Sequence, residues 1–242
     1  MKEFFSKFEK PYWEHKFGKI KFSSITSKKL SYLFSYQPFV YQKAYESFLE
    51  YIEKYEDYDD RFKKAKNETA KQIKRYIKGK RILSYGCGTA YVEEVNFPAE
   101  DITLMDSAKI KKFGKRIIYG EEILKSWRGD CVIGIQLVAH MSKSQLHKFF
   151  SCSFNLLEKN GLLIITHTPR SNIMIDMWDV FKNIVKIILF RKETYIFWSW
   201  RRSDKYLENI ARKHGFKILS KEKNKVNLEN IVIFQKTEKK VI

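Results

Sequence analysis

The chain has 242 residues, a hydrophobic content of 44% and a formal net charge of +19 at pH 7. This length suits a single α/β domain with additions, and the apolar content is ample for a packed core. The longest apolar run, near Ile184 to Phe190, is interrupted by Lys186 and is far too short to span a bilayer, which excludes a membrane-spanning helix there.

The cysteine content indicates a reducing compartment. Cys87, Cys131 and Cys152 are odd in number, and their spacing matches no metal site. The segment from Met1 to Lys10 is charged throughout, so no signal peptide is apparent. We therefore predict a cytoplasmic protein without a metal, and peripheral attachment to a membrane stays open.

The positive charge has two interpretations. It comes mainly from lysine, and the excess lies on the two flanks of the segment 80–168. A basic face could bind RNA, an anionic membrane surface or a phosphorylated substrate. A general bias in composition would produce the same excess, and the sequence gives no oligomeric state.

The N-terminal part is predicted to be helical. Residues 1–39 are dense in lysine and aromatic side chains, and we interpret them as short helices and loops. Residues 40–56 have the apolar spacing of a helix, and a second helix follows an acidic stretch and stops at Gly79. We expect residues 1–79 to form a helical extension packed on a core of residues 80–242.

A strand, a glycine turn and a second strand come next. Ile82 to Tyr85 has the pattern of a short buried strand, and the turn Gly86 to Ala90 follows directly. A small helix starts at Tyr91, and the apolar run from Ile102 ends in Asp106. Glycine lets a backbone approach a nucleotide closely, and an acidic residue about 20 positions later can accept hydrogen bonds from ribose hydroxyls.

The alternation of strands and helices continues along the chain. Cys131 to Ile135 is a third apolar run, and the Ser142-x-x-Gln145 capping box starts a helix after it. Asn160-Gly161 then turns into the apolar run that ends at His167. This order predicts a Rossmann-like, doubly wound and mainly parallel α/β sheet with right-handed crossovers.

Three stretches resemble known motifs. ILSYGCGTA resembles the first motif of class I S-adenosylmethionine-dependent methyltransferases, GDCVIGIQLVAHM their fourth-strand motif and LLEKNGLLIITHT their fifth. The resemblance covers roughly 80–168, together with a closing helix and hairpin after Arg202. It implies S-adenosylmethionine as cofactor, S-adenosylhomocysteine as product, and an antiparallel C-terminal hairpin that completes the sheet.

The resemblance also implies a set of cofactor contacts. Ser84 is one of the predicted contacts. The family often has an acidic residue at this position, which pairs with the amino group of the cofactor. A serine can accept a hydrogen bond there but cannot form the ion pair. At Glu121 the neighbouring Glu122 is an equal candidate, and Leu137 is an alternative to Gln136. The predicted cofactor-binding residues are Ser84, Gly86, Gly88, Asp106, Glu121 and Gln136.

Two histidines at strand ends are the candidate catalytic bases. His167 ends the predicted fifth strand and His140 follows the fourth. An imidazole near its ordinary pKa can take a proton from a hydroxyl, so we predict a catalytic role for both. The alternative for each is a buried histidine with a structural role.

The predicted reaction is O-methylation of a small-molecule, sugar or lipid-linked acceptor. The insertion 169–201 is rich in methionine and aromatic residues, typical of a pocket wall or lid, of core packing or of a membrane-resting segment. GIQL follows the fourth strand in place of a Pro-Pro-aromatic clamp, which argues against N-methylation of nucleic-acid bases. An RNA methyltransferase and a non-catalytic protein with this fold are the alternatives.

Overall fold

The computed structural model describes residues 12–15, 60–88, 90–97, 100–106, 117–119, 123–167, 169, 195–198, 202–224, 226 and 229–238. The predicted helix over 40–56, most of the insertion 169–201 and the candidate Glu121 lie outside the described residues.

Strands and helices alternate along the central part of the chain, as the sequence predicts. The strands of the described residues are β1 (Tyr12–His15), β2 (Arg81–Tyr85), β3 (Asp101–Asp106), β4 (Ile117–Tyr119), β5 (Gly129–Gly134), β6 (Leu157–His167), β7 (Tyr195–Trp198), β8 (Phe216–Lys223) and β9 (Asn230–Lys236). The α-helices of the same residues are α1 (Asp60–Ile77), α2 (Tyr91–Asn96), α3 (Ile123–Ser126), α4 (Lys143–Leu156) and α5 (Asp204–Lys213).

Seven of these strands form one sheet in the order β4-β3-β2-β5-β6-β9-β8. The pairs among β4, β3, β2, β5 and β6 are parallel, whereas β9 is antiparallel to both β6 and β8. The predicted parallel sheet with a closing antiparallel hairpin is confirmed. The strand order reverses between β2 and β5, and ligands of doubly wound sheets bind beyond the carboxyl ends of the strands at such a point.

Helices cover both faces of the sheet. Leu83 and Val132 pack on one face in a cluster with α4 and α5, while Ile82 and Cys131 pack on the other with α1 and α2. This division follows from the period of a strand, whose successive side chains point to opposite faces. α1 buries its apolar stripe on the same face as the short α2. The buried residues of that stripe include Ala70, Ile73 and Ile77.

Local signals in the sequence set the helix ends. The predicted capping box of α4 is present: the backbone N–H of Ser142 donates to Gln145 Oε1 at 2.8 Å, and the N–H of Gln145 donates to Ser142 Oγ. Ser203 caps α5, as predicted, by accepting from the N–H of Tyr206 at 3.2 Å. Gly215 follows α5 with a φ of +83°, a conformation that favours glycine.

β1 and β7 form a separate antiparallel pair, in which Tyr12 is opposite Trp198. The prediction of short helices and loops over residues 1–39 is therefore wrong for Tyr12–His15, because a partner strand far along the chain decides its conformation. The chain divides into two compact units, residues 1–56 with 170–201 and residues 57–169 with 202–242. Among the described helices, none combines the length and apolarity needed to cross a bilayer.

Candidate active site

The glycine turn after β2 is fastened to the end of β3. The backbone N–H groups of Gly86 and Cys87 donate to the carbonyl oxygen of Met105 at 2.7 and 3.1 Å. The N–H of Gly88 donates to Asp106 Oδ2 at 2.8 Å. Gly86 and Gly88 have φ angles of +70° and +57°, which a residue with a Cβ rarely adopts. The structure thus brings together Gly88 and Asp106, which the sequence predicts as parts of one site.

An apolar side chain lies over this turn. A Cβ at Gly86 would stand 2.5 Å from Leu137 Cδ1, too close for any real contact. Leu137 begins the 3₁₀ turn Leu137–His140 that follows β5. Gly86 therefore leaves room for the Leu137 side chain between the turn after β2 and the turn after β5, at the point where the strand order reverses.

The carboxylate of Asp106 is buried, with 3% of the residue exposed. The thiol of Cys87 is close by. Burial is the main reason that the pKa of Cys87 is raised far above its usual range, and the carboxyl groups of Glu93 and Asp106 add to the effect. Cys87 is therefore a neutral thiol at physiological pH rather than a nucleophile.

Ser84 faces the α1 and α2 side of the sheet and is buried. Its Oγ donates to the Oε1 atom of Glu93, a residue of α2 that is 3% exposed. Burial raises the pKa of Glu93, and the hydrogen bond from Ser84 opposes that shift. The motif lacks an acidic residue at Ser84, but the fold supplies a carboxyl group from α2 next to the same position. A direct contact of Ser84 with the cofactor stays a prediction.

A lysine of α1 reaches the end of β5. Lys66 Nζ donates to Gln136 Oε1 at 3.0 Å, and the N–H of Gln136 donates to Thr166 Oγ1 at 2.8 Å. Burial lowers the pKa of Lys66, while the carboxyl groups of Glu229 and Glu93 act in the opposite direction. The predicted cofactor residue Gln136 is thus held from two sides, by α1 and by β6.

His167 ends β6 on the face of the sheet opposite to α1 and α2, and it is 1% exposed. Its Nε2 lies 2.8 Å from Asp204 Oδ1, and Asn230 Nδ2 donates to the same oxygen at 2.9 Å. The hydrogen bond with His167 is the main cause that lowers the pKa of Asp204 to about 2. An ionised carboxylate only accepts, so Nε2 carries the hydrogen. Nδ1 is the other ring nitrogen, and it has no hydrogen-bond partner within the described part of the chain.

The lowered pKa of Asp204 predicts a pH-dependent contribution to stability. The folded state favours the carboxylate, so this contribution is present above the ordinary pKa of about 4 and is lost as the pH falls towards about 2. We expect Asp204→Asn to lower the free energy of unfolding by about 1 kcal/mol near pH 5, since the group is partly exposed and solvent screens it. Urea unfolding at several pH values measures the difference.

The control for this experiment is Asp101→Asn, at the exposed start of β3. The deficit of Asp204→Asn should shrink between about pH 4 and about pH 2, whereas the control should stay close to the wild type throughout. If Asp204→Asn lowers the free energy of unfolding by the same amount at both ends of this range, the lowered pKa of Asp204 does not contribute to stability.

His140 lies in the 3₁₀ turn after β5 and is partly buried. The guanidinium group of Arg202 fixes this turn, because it donates to the carbonyl oxygens of Val138 and Met141 on either side of His140. Arg202 is itself 3% exposed. The arrangement holds His140 at the carboxyl edge of the sheet, and its catalytic role stays a prediction.

Four residues of this region escape the sequence analysis: Lys66, Glu93, Arg202 and Asp204. In the sequence, Glu93 and Asp204 look like ordinary acidic residues in the first turn of a helix. Lys66 and Arg202 are two among 47 basic residues. The one local signal for Asp204 is the capping serine directly before it, which predicts that a helix begins at Asp204.

Comparison with known proteins places this geometry in a known fold. The structure of the 1,6-didemethyltoxoflavin-N1-methyltransferase from Burkholderia thailandensis, with S-adenosylhomocysteine bound, is 12% identical with a TM-score of 0.58, over 84% of this chain and 92% of that one. Magnesium protoporphyrin IX methyltransferase from Synechocystis PCC 6803, also with S-adenosylhomocysteine, is 14% identical with a TM-score of 0.52, over 72% and 84% of the two chains. The chain has the class I methyltransferase fold.

The class I fold alone does not define a reaction. The 4+2 cyclase SpnF is similar at the same level, with 13% identity and a TM-score of 0.52 over 71% of this chain and 80% of that one. No family model matches the sequence, and no curated protein matches it. The function must therefore be argued from the residues at the carboxyl edge of the class I sheet.

Proposed function

We propose that the protein is a methyltransferase that binds S-adenosylmethionine at the carboxyl edge of the sheet and methylates a small molecule. The observation that carries this proposal is the hydrogen bond from the N–H of Gly88 to the buried carboxylate of Asp106, where the glycine turn meets the end of β3. Two structural neighbours hold S-adenosylhomocysteine, and both are methyltransferases of small molecules by their descriptions. These neighbours support the proposal without assigning an acceptor.

The residues present fit the cofactor. Asp106 offers a carboxylate to ribose hydroxyls at the end of β3, and the glycine turn lies directly beside it, since the N–H of Gly88 donates to that carboxylate. When bound, the cofactor supplies a methyl group already activated by a sulfonium. The protein then has to align the acceptor and accept its proton.

Thermal unfolding with S-adenosylhomocysteine tests this proposal. A ligand at a hundredfold excess over its dissociation constant stabilises the folded state by about 2.7 kcal/mol, so the unfolding temperature should rise by several degrees. ATP at the same concentration is the control, since it carries the adenosine and a stronger negative charge. An equal shift with ATP, or no shift with S-adenosylhomocysteine, would refute the proposal.

We propose that the methyl group goes to an oxygen of a small, sugar or lipid-linked acceptor. His167 supports this choice, because Asp204 holds the ring so that Nδ1 carries the lone pair that could take a proton from a hydroxyl. The ring is almost fully covered, so the acceptor must displace neighbouring side chains to reach it. Mass spectrometry of ligands that co-purify with the protein identifies the acceptor class.

His167→Asn tests the proposed base. General-base catalysis contributes about 10²- to 10⁴-fold, so turnover with the identified acceptor should fall by at least about a hundredfold. The affinity for S-adenosylhomocysteine, measured by calorimetry, should stay within about twofold, because His167 ends β6, which β5 separates from β2 and its glycine turn. His147→Asn is the control, since His147 pairs with His214 instead. Unchanged turnover in His167→Asn would remove this residue from the reaction.

The remaining alternatives are separable by simple observations. An RNA acceptor bound through the basic flanks would lose affinity steeply as salt concentration rises, whereas a small acceptor in a pocket would respond weakly. A protein that has kept the fold without the chemistry would bind S-adenosylhomocysteine but transfer no methyl group to any co-purified compound. Both alternatives stay predictions.

A further inference from the structure

The 3₁₀ turn Leu137–His140 after β5 depends on contacts from outside. Gln136, directly before it, has a φ of +56°, a conformation that residues with a side chain rarely adopt, and its side chain does not cap the turn. The backbone hydrogen bond that ends the turn, from the N–H of Met141 to the carbonyl oxygen of Val138, is long at 3.5 Å. Short 3₁₀ turns have poor hydrogen-bond geometry, so neighbouring groups must hold this one in place.

Arg202 supplies such a contact. Its Nη1 donates to the carbonyl oxygen of Val138 and its Nη2 to that of Met141, so one guanidinium group spans the end of the turn. The planar group holds its donors in a fixed fork, a geometry that the ammonium group of lysine does not reproduce. Arg202 is 3% exposed, so water competes little for these charged hydrogen bonds.

The backbone of Arg202 is itself anchored. It forms a parallel bridge with Pro169, two residues after the end of β6, at the point where the chain returns to the larger compact unit. Its side chain reaches from there to the turn after β5, the strand beside β6 in the sheet. The guanidinium group therefore connects the carboxyl ends of two adjacent strands.

The other end of the turn lies beside the glycine turn after β2. Leu137 is its first residue, and Leu137 Cδ1 fills the space that a Cβ at Gly86 would need. The N–H of Gln136 is fixed separately, by donation to Thr166 Oγ1. A shift of the turn would thus move an apolar side chain at the crevice where the proposed function places the cofactor.

We propose that Arg202 is a positioning residue of the candidate active site. It acts through the turn rather than through a bound ligand, because it holds Leu137 beside Gly86 and His140 at the carboxyl edge. Its effect on ligand affinity rests on the proposed function, whereas its effect on the turn does not.

Hydrogen exchange tests the effect on the turn without any ligand. In Arg202→Ala the amides of residues 137–141 should exchange at least about tenfold faster than in the wild type, because two charged hydrogen bonds no longer oppose local opening. The amides of β2 should keep their protection, which also shows that the variant is folded. Arg212→Ala is the matched control, since it removes an exposed guanidinium group from α5. Exchange of the turn at the wild-type rate would overturn the inference.

Chemical rescue distinguishes positioning by the fork from simple filling of space. Ethylguanidinium chloride added to Arg202→Ala should return the exchange of the turn to within about twofold of the wild type, whereas ethylammonium should not. Equal effects of the two cations, or no effect of either, would overturn the role of the fork. If Arg202→Ala does not fold, Arg202→Lys replaces it: the charge stays but the fork is lost, and the turn should exchange about three- to tenfold faster. Wild-type exchange in Arg202→Lys would equally overturn that role.

Calorimetry with S-adenosylhomocysteine tests the link to the proposed function. The affinity should fall by about tenfold or more in Arg202→Ala, recover with ethylguanidinium, and stay within about twofold of the wild type in Arg212→Ala. If the wild type does not bind this ligand, the proposed function fails, and hydrogen exchange still decides whether Arg202 holds the turn. If exchange rises in Arg202→Ala but the affinity is unchanged, the positioning role fails while the proposed function stands.

Discussion

Asp106→Ala should lower the affinity for S-adenosylhomocysteine by about a hundredfold or more. The substitution removes the proposed acceptor of the ribose hydroxyls and also the partner of the Gly88 N–H, which is held at 2.8 Å. Each hydrogen bond to a charged group contributes about 1.5–3 kcal/mol, so losing the bonds from the two ribose hydroxyls costs at least about 3 kcal/mol of binding free energy. Calorimetric titration of the wild type and the variant measures the change.

Two further variants show whether the charge of Asp106 causes this effect. Asp106→Asn keeps the shape and one carbonyl oxygen, so its affinity should fall between those of the wild type and Asp106→Ala. Asp101→Asn changes the exposed first residue of the same strand and should leave the affinity unchanged. If Asp106→Ala binds S-adenosylhomocysteine as tightly as the wild type, the nucleoside does not bind at the end of β3, and the proposed function loses its main support.

Phe150→Ala should destabilise the protein by about 3–5 kcal/mol, the usual cost of truncating a buried aromatic residue. Phe150 is fully buried in α4. Its ring contacts Phe149, Phe216 and Phe234 edge to face, with centroids 5.7 to 6.1 Å apart, and lies parallel to the ring of His214. The cavity would thus open where α4, β8 and β9 meet. Urea unfolding measures the loss.

Leu219→Ala is the control for this large effect, because Leu219 lies on β8 and is 49% exposed. Its substitution should change the free energy of unfolding by less than about 0.5 kcal/mol. The affinity of Phe150→Ala for S-adenosylhomocysteine should be normal below its unfolding transition, because Phe150 packs on the face opposite α1 and α2. A loss of only about 1 kcal/mol would mean that the surrounding rings close the cavity.

Local patterns predict the sheet and the glycine turn well. Runs of apolar residues mark the buried strands, and the capping residues Ser142 and Ser203 mark the starts of α4 and α5. The distance from Gly88 to Asp106 is also a local property, set by one strand, one turn and one short helix. The sequence therefore predicts that these two residues belong to one site, whereas the hydrogen bond between them is a finding of the structure.

Contacts between distant segments could not be foreseen in this way. Lys66 and Gln136 are 70 positions apart, and nothing in the sequence selects this lysine from the others. Glu93 occurs early in a helix of six residues, where an acidic residue usually faces solvent and the positive end of the helix dipole. Its inward direction depends on the packing of α2 against the end of β2. Long-range packing, rather than propensity, decides these parts of the candidate site.

The pairing of β1 with β7 affects how the chain can be shortened. Deleting residues 1–56 alone would remove the hydrogen-bonding partner of Tyr195–Trp198 and leave the backbone of this strand unpaired, and an unpaired strand edge is a recognised cause of aggregation. Residues 170–201 should therefore be excised in the same step. Pro169 and Arg202 form a parallel bridge, so their backbones are already neighbours and a short flexible linker can join them.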